Sequence, residues 1–278
     1  MKAFQLALIQ LDTGKDICAN KKETECFVKE AALKGADLII LPEHSDLIGI
    51  RENLYAQTIS GENAGFYAAL AQKYHVYLHC GSISEIADEE HAYNTSLVFS
   101  PEGEVIGKYS KLHLFDVEVK AGPSMRESAH VKEGESISLV KLPFCTLGLS
   151  VCYDLRFPEL YRLLALSGAE ILVVSANFTA ATGAAHWEAL LRARAIENGC
   201  FVAAVNQCGQ KKAFQAWGHT MLIDPWGNIM GSLEQTPGLL MLGICPDDLE
   251  SARKQIPSLK NRRCDIYKLE SDKIQIFE

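Results

Sequence analysis

Short, strongly apolar runs alternate with amphipathic stretches along most of this chain, and that alternation narrows the fold more than any other feature. Phe4 to Gln10 reads FQLALIQ and gives way to Asp12, Thr13 and Gly14, while Asp37 to Leu41 reads DLIIL and ends at Pro42. Runs this short, bounded by turn formers, have the length of buried strands. Between them, Lys21 to Lys34 spaces Cys26, Phe27, Ala31 and Leu33 at roughly helical intervals among charges, and Gly35 follows as a stop. Strand, helix, strand in that order predicts the right-handed crossover unit of α/β proteins.

The pattern then returns. Glu62 to Tyr74 predicts a helix and Val76 to Cys80 a strand, and Thr95 to Phe99 and Glu104 to Tyr109 flank SPEG as a hairpin. After a loop from His113 to Glu135, strands are expected at Ile137 to Leu142 and Thr146 to Val151, with a helix from Pro158 to Ser167. Ile171 to Ser175, a helix from Ala184 to Asn198, and Phe201 to Asn206 repeat the alternation. Met221 to Ile223 and Ile229 to Gly231 enclose DPWGN as a second hairpin. No Pro-, Gly- or Ser-rich linker divides the chain, so residues 1–278 are expected to form one domain. Helices follow only some strands, which leaves two arrangements open: one mixed sheet, or two packed sheets with helices outside.

Charge and cysteine usage exclude several classes of function. A formal charge of -8 without a Lys/Arg block gives no footprint for nucleic acid or anionic membranes. No run of about 18 apolar residues spans a bilayer, and the N-terminal MKAFQLALIQLD is too short an apolar stretch for a secretory signal. Nine scattered cysteines lack CxxC or Cys/His spacing, which fits reduced thiols and a cytoplasmic setting better than zinc or disulfides.

Chemistry in α/β proteins gathers where strands end, so polar residues just beyond the apolar runs are the candidates. Three stand out: Glu43 in LIILPEH, Lys111 in VIGKYSKLHLFD and Cys152 in LGLSVCYD. Singly each has a plain structural reading, Cys152 as small core filler, Glu43 as an ion-pair partner and Lys111 as a snorkelling strand end. Together they make a reactive set. A thiol attacks as thiolate and needs a base, for which Glu43 serves. An acyl transfer also needs donors at the developing oxyanion, for which Lys111 and the Tyr153 backbone N–H serve.

LPEH, GKYSKLHLFD and SVCYDLRFPEL resemble the three catalytic segments of the nitrilase superfamily of carbon-nitrogen hydrolases. The resemblance extends through Thr182 to Gly209 and Ala216 to Asn228. It implies Glu43 as general base, Lys111 as the group holding the tetrahedral intermediate, and Cys152 as nucleophile, with no metal or organic cofactor. A second glutamate is implied on the loop after the lysine, where Glu127 matches best and Glu118 and Glu133 compete. The implied fold is a four-layer αββα sandwich of two mixed sheets. A homodimer is also implied, with the last residues used as an extension in its contacts.

Arg156, four residues past Cys152, is suited to gripping a substrate carboxylate. CYDLRF and NFTAATG resemble the ω-amidase and deaminated glutathione amidase branch, which makes Arg156, Phe178 and Thr182 pocket candidates. Packing for Phe178 and helix capping for Thr182 stand beside that reading. The expected activity is hydrolysis of a small carboxylate-bearing amide, such as deaminated glutathione or α-ketoglutaramate. N-carbamoyl amine hydrolysis, nitrile hydrolysis and a non-catalytic scaffold of the same fold stay as alternatives.

Overall fold

The computed structural model describes residues 1–118 and 124–278. In the first half the elements run β1 (Phe4–Gln10), α1 (Ile17–Leu33), β2 (Leu38–Ile40), α2 (Glu62–Tyr74), β3 (Tyr77–His79), β4 (Ile83–Ile86), β5 (Ala92–Phe99), β6 (Val105–Ser110), β7 (Asp116–Glu118) and β8 (Ser124–Arg126). The second half runs β9 (Ile137–Lys141), β10 (Thr146–Val151), α3 (Pro158–Leu166), β11 (Ile171–Ala176), α4 (Ala180–Asn198), β12 (Phe201–Asn206), β13 (Met221–Ile223), β14 (Ile229–Ser232), β15 (Gly238–Ile244), α5 (Pro246–Gln255) and β16 (Ile274–Phe277).

These strands form two seven-stranded sheets and a small β7–β8 hairpin. The first sheet has the order β15-β1-β2-β3-β5-β4, with β6 also on β5; the second has the order β14-β13-β12-β11-β10-β9-β16. Each is parallel at its centre, through β1-β2-β3 and β10-β11-β12, and antiparallel outside it, except that the edge strand β16 runs parallel to β9.

Alternation along β1 shows how the layers stack. Leu6 and Leu8 enter the core between the two sheets, while Ala7 and Ile9 enter the core beneath α1 and α2, beside Val28, Ala31 and Leu70. All six residues of β11 are buried, because the second sheet's outer face is covered by Tyr161 and Leu164 of α3 and Trp187 and Leu191 of α4. A strand buried on both faces is mostly apolar, which is why these runs read as near-continuous rather than alternating. The result is the four-layer αββα sandwich, and the single mixed sheet is ruled out.

Local signals explain where helix starts departed from expectation. α1 begins at Ile17 because the Asp16 carboxylate accepts from the backbone N–H groups of Cys18 and Ala19. α4 begins at Ala180 because the Thr179 hydroxyl caps it. The loop read from His113 to Glu135 holds the β7–β8 hairpin and a short helical turn at Glu127–Ala129. β15 and β16 complete sheet edges by pairing with β1 and β9, partners distant in sequence. Among the described residues, no helix is long and apolar enough to cross a membrane.

Candidate active site

Glu43 follows β2, and Lys111 follows β6 in the same sheet; Cys152 follows β10 in the facing sheet. At Gly81 any Cβ would meet the Pro42 carbonyl oxygen at 1.8 Å, so this glycine lets the chain pass close behind the turn that carries Glu43. Cys152 has φ of 49°, a left-handed conformation rare for a residue with a Cβ. That bend turns the chain from β10 into a helical turn over Cys152–Arg156.

The side chains from the two sheets converge. The Lys111 ammonium donates to Glu43 Oε1 at 3.0 Å and to both Glu127 oxygens at 3.0 and 2.9 Å. Glu43 Oε1 also accepts from Asn94 Nδ2 at 2.8 Å, and its Oε2 accepts from the Asn177 backbone N–H at 2.8 Å. Glu127 Oε2 takes the Phe115 N–H at 2.6 Å, which ties the loop to the lysine. Of the three loop carboxylates weighed from sequence, Glu127 is the one on Lys111, while Glu118 and Glu133 are exposed.

Burial sets the charge states. It drives Glu43 upward, but the Lys111 ammonium, with His44 beside it, brings the carboxyl below its ordinary range. Burial works against the Lys111 charge, yet Glu127 and then Glu43 raise this ammonium well above the usual value. Burial and the Glu43 charge push the Cys152 thiol well up. The resting site is therefore carboxylate, ammonium and thiol, with the proton acceptor facing the sulfur.

These groups floor a cavity of about 420 Å³ whose wall includes Tyr153, Arg156, Phe178 and Thr182. The Arg156 guanidinium lies over the rings of Tyr153 and Phe178, at 5.8 and 5.2 Å from their centroids, and donates to His186 Nδ1 at 3.2 Å. Phe178 packs on Trp187 at 5.0 Å between centroids. The cap expected of Thr182 belongs to Thr179, whose hydroxyl accepts the Thr182 N–H.

Four contributors went unread in the sequence. Asn94 lies one residue before the strand as it was expected, between Tyr93 and the polar Thr95 and Ser96, where nothing in residue type marks it. The Asn177 N–H acts through its backbone, which leaves no mark in residue type. His44 follows Glu43 directly, with φ of 52° and its ring buried at the cavity wall. Asp154 is wholly buried behind the cysteine turn. Glu43, His44 and Glu127 place ligand atoms within 4.8 Å of one another, but the Lys111 ammonium bonds both carboxylates and takes the position a cation would need.

Known proteins share this frame. The carbon-nitrogen hydrolase pattern matches residues 5–254. The omega-amidase NIT2 of Mus musculus is 38% identical over 276 residues, covering 98% of this chain and 100% of that protein. The deaminated glutathione amidase of Synechocystis is 40% identical over 269 residues, covering 94% and 99%. Among solved structures, the C. elegans NitFhit protein superposes with a TM-score of 0.90 at 34% identity, covering 97% of this chain and 67% of that one. By sequence and architecture together, the chain belongs to the carbon-nitrogen hydrolase family.

Proposed function

We propose that this protein hydrolyses a small carboxylate-bearing amide to acid and ammonia through a thioester on Cys152. The observation that carries this reading is the convergence of a buried carboxylate, ammonium and thiol in one cavity, with Glu43 held as acceptor beside a protonated sulfur. Because the thiol rests protonated, its proton must pass to Glu43 as sulfur attacks the amide carbonyl carbon. The C–S bond forms, and the oxyanion is stabilised by the Lys111 ammonium and the Tyr153 N–H. Glu43 then gives its proton to the amide nitrogen, the C–N bond breaks and ammonia leaves. Water gives Glu43 a proton as it attacks the thioester, the C–S bond breaks, and the proton returns to sulfur as the acid departs. Glu127 keeps Lys111 charged and aimed.

Arg156 takes the substrate carboxylate, with Phe178 and Thr182 shaping the wall around it. The two amidase names among the relatives support a substrate of this class. The presence of Glu43, Lys111 and Cys152 together counts against a non-catalytic scaffold. A cytosolic setting agrees with nine unpaired cysteines. A homodimer agrees with the exposure of Ile196 on α4 and of Ile266 and Tyr267 in the stretch between α5 and β16.

Ammonia release should be compared on α-ketoglutaramate, deaminated glutathione, an N-carbamoyl amino acid and a simple nitrile. Turnover is expected on one or both of the first two, with Arg156→Ala raising KM roughly tenfold or more through the lost charge-assisted hydrogen bonds. Turnover of the nitrile or the N-carbamoyl compound alone would replace this substrate class.

A further inference from the structure

Lys111 and Cys152 stand on different sheets, and among the described residues no backbone ladder runs between those sheets to set their separation. The side chain of Asp154 spans the gap. It is wholly buried and two residues beyond Cys152, and its oxygens receive four hydrogen bonds. Oδ1 accepts from the His113 backbone N–H at 3.1 Å and from His113 Nδ1 at 2.7 Å. Oδ2 accepts from the Tyr109 hydroxyl at 2.6 Å and from the Val151 N–H at 2.8 Å.

The placement of those donors is informative. Tyr109 and His113 flank Lys111 by two residues on either side, and Val151 immediately precedes Cys152. The Tyr109 hydroxyl also accepts the Leu112 N–H at 3.3 Å, so the chain on both sides of the lysine is referred to one carboxylate. His113 is itself held by stacking on Phe157, 3.6 Å between centroids and 8° between planes, and Phe157 ends the cysteine turn. Such a turn, with Cys152 in a left-handed conformation, persists only where its surroundings over-determine it.

From this geometry we infer that Asp154 is a positioning residue of the reaction: it pins the lysine-bearing segment of one sheet to the nucleophile-bearing turn of the other. The inference rests on Cys152 and Lys111 acting as in the proposed function. Arg156 lies within the same helical turn as Cys152, so loosening the pin leaves substrate capture with the thiol and moves the ammonium relative to both. The expected signature is therefore a loss in kcat with KM little changed.

Asp154→Asn keeps the shape of the side chain but sets an NH2 group against a backbone N–H, that of His113 or that of Val151, whichever way the amide turns. Tyr109→Phe removes the bond to Asp154 and the acceptor of the Leu112 N–H, and should spare the fold if Asp154→Asn does not. For both variants and the parent, kcat, KM, melting temperature and the rate of Cys152 alkylation by iodoacetamide from pH 6 to 10 would be measured. A misplacement on the order of 1 Å predicts a kcat loss of about a hundredfold for Asp154→Asn. Loss of a hydroxyl donor to a carboxylate predicts a kcat loss of about tenfold for Tyr109→Phe. KM should stay within about threefold in each, and the pH profile of alkylation should shift as the thiol moves relative to Lys111. Parental kcat and alkylation in a folded Tyr109→Phe would overturn the pin, as would a rise in KM that matches the fall in kcat. If Cys152 is not the preferred thiol in the parent, the thioester mechanism fails as well, which separates the two failures.

Discussion

Strand β10 carries a cysteine at each end, and the two differ in what surrounds them rather than in how deeply they lie. Cys145 precedes the strand and Cys152 follows it; both are buried, and in both burial pushes the thiol up. Cys145 sits in the β9–β10 turn, where its carbonyl accepts the Leu142 N–H, among core residues. Cys152 sits on a left-handed bend, facing a carboxylate whose charge is maintained by Lys111. Burial and an elevated thiol are thus no mark of a nucleophile. What sets Cys152 apart is a carboxylate that the buried Lys111 ammonium keeps charged; the carboxylate near Cys145, Glu170, is instead bonded by the N-terminal ammonium and the Thr146 N–H.

Substitution tests that contrast most directly. Cys152→Ala should abolish ammonia release, while Cys145→Ala should release it at the parental rate per folded molecule; silence in a folded Cys145→Ala would break the distinction. Lys111→Ala removes the proposed oxyanion donor and leaves Glu43 and Glu127 facing one another without the ammonium. A kcat loss of about a hundredfold or more is expected, and a loss under about threefold would show that the ammonium does not touch the transition state.

The pH profile asks which group is the base. Glu43 has its folded-state value below the ordinary carboxylate range, so the unprotonated base is present at every pH above that range and is lost only as pH falls through the lowered value. Plots of kcat/KM against pH should therefore run level from about pH 5 to neutrality on the acid side. An acid limb centred near pH 6 to 7 would transfer the role to an imidazole. The smallest effect belongs to the other thiol: Cys145→Ala should cost roughly 1 kcal/mol in urea unfolding, the usual scale for a small buried truncation.

What the sequence determined by itself was local or periodic. Apolar runs of strand length gave the buried strands, since a strand covered on both faces is mostly apolar, but left open whether they form one mixed sheet or two. For the same reason Glu43, Lys111 and Cys152 were legible as the polar groups that appear once those runs end. Caps were visible afterwards in Asp16 and Thr179, yet without a structure neither could be told from an ordinary loop residue. Choosing Glu127 over Glu118 and Glu133 depended on how the loop folds back to Lys111, a path that no spacing encodes. The Asn177 backbone and Asp154 needed the packing of one sheet on the other, and Asn94 the strand order β2-β3-β5 within its own sheet, because each meets partners far away in sequence. Residue type and period record what a side chain prefers; only tertiary structure decides which side chains from separate sheets share a few ångströms, and the chemistry depends on that distance.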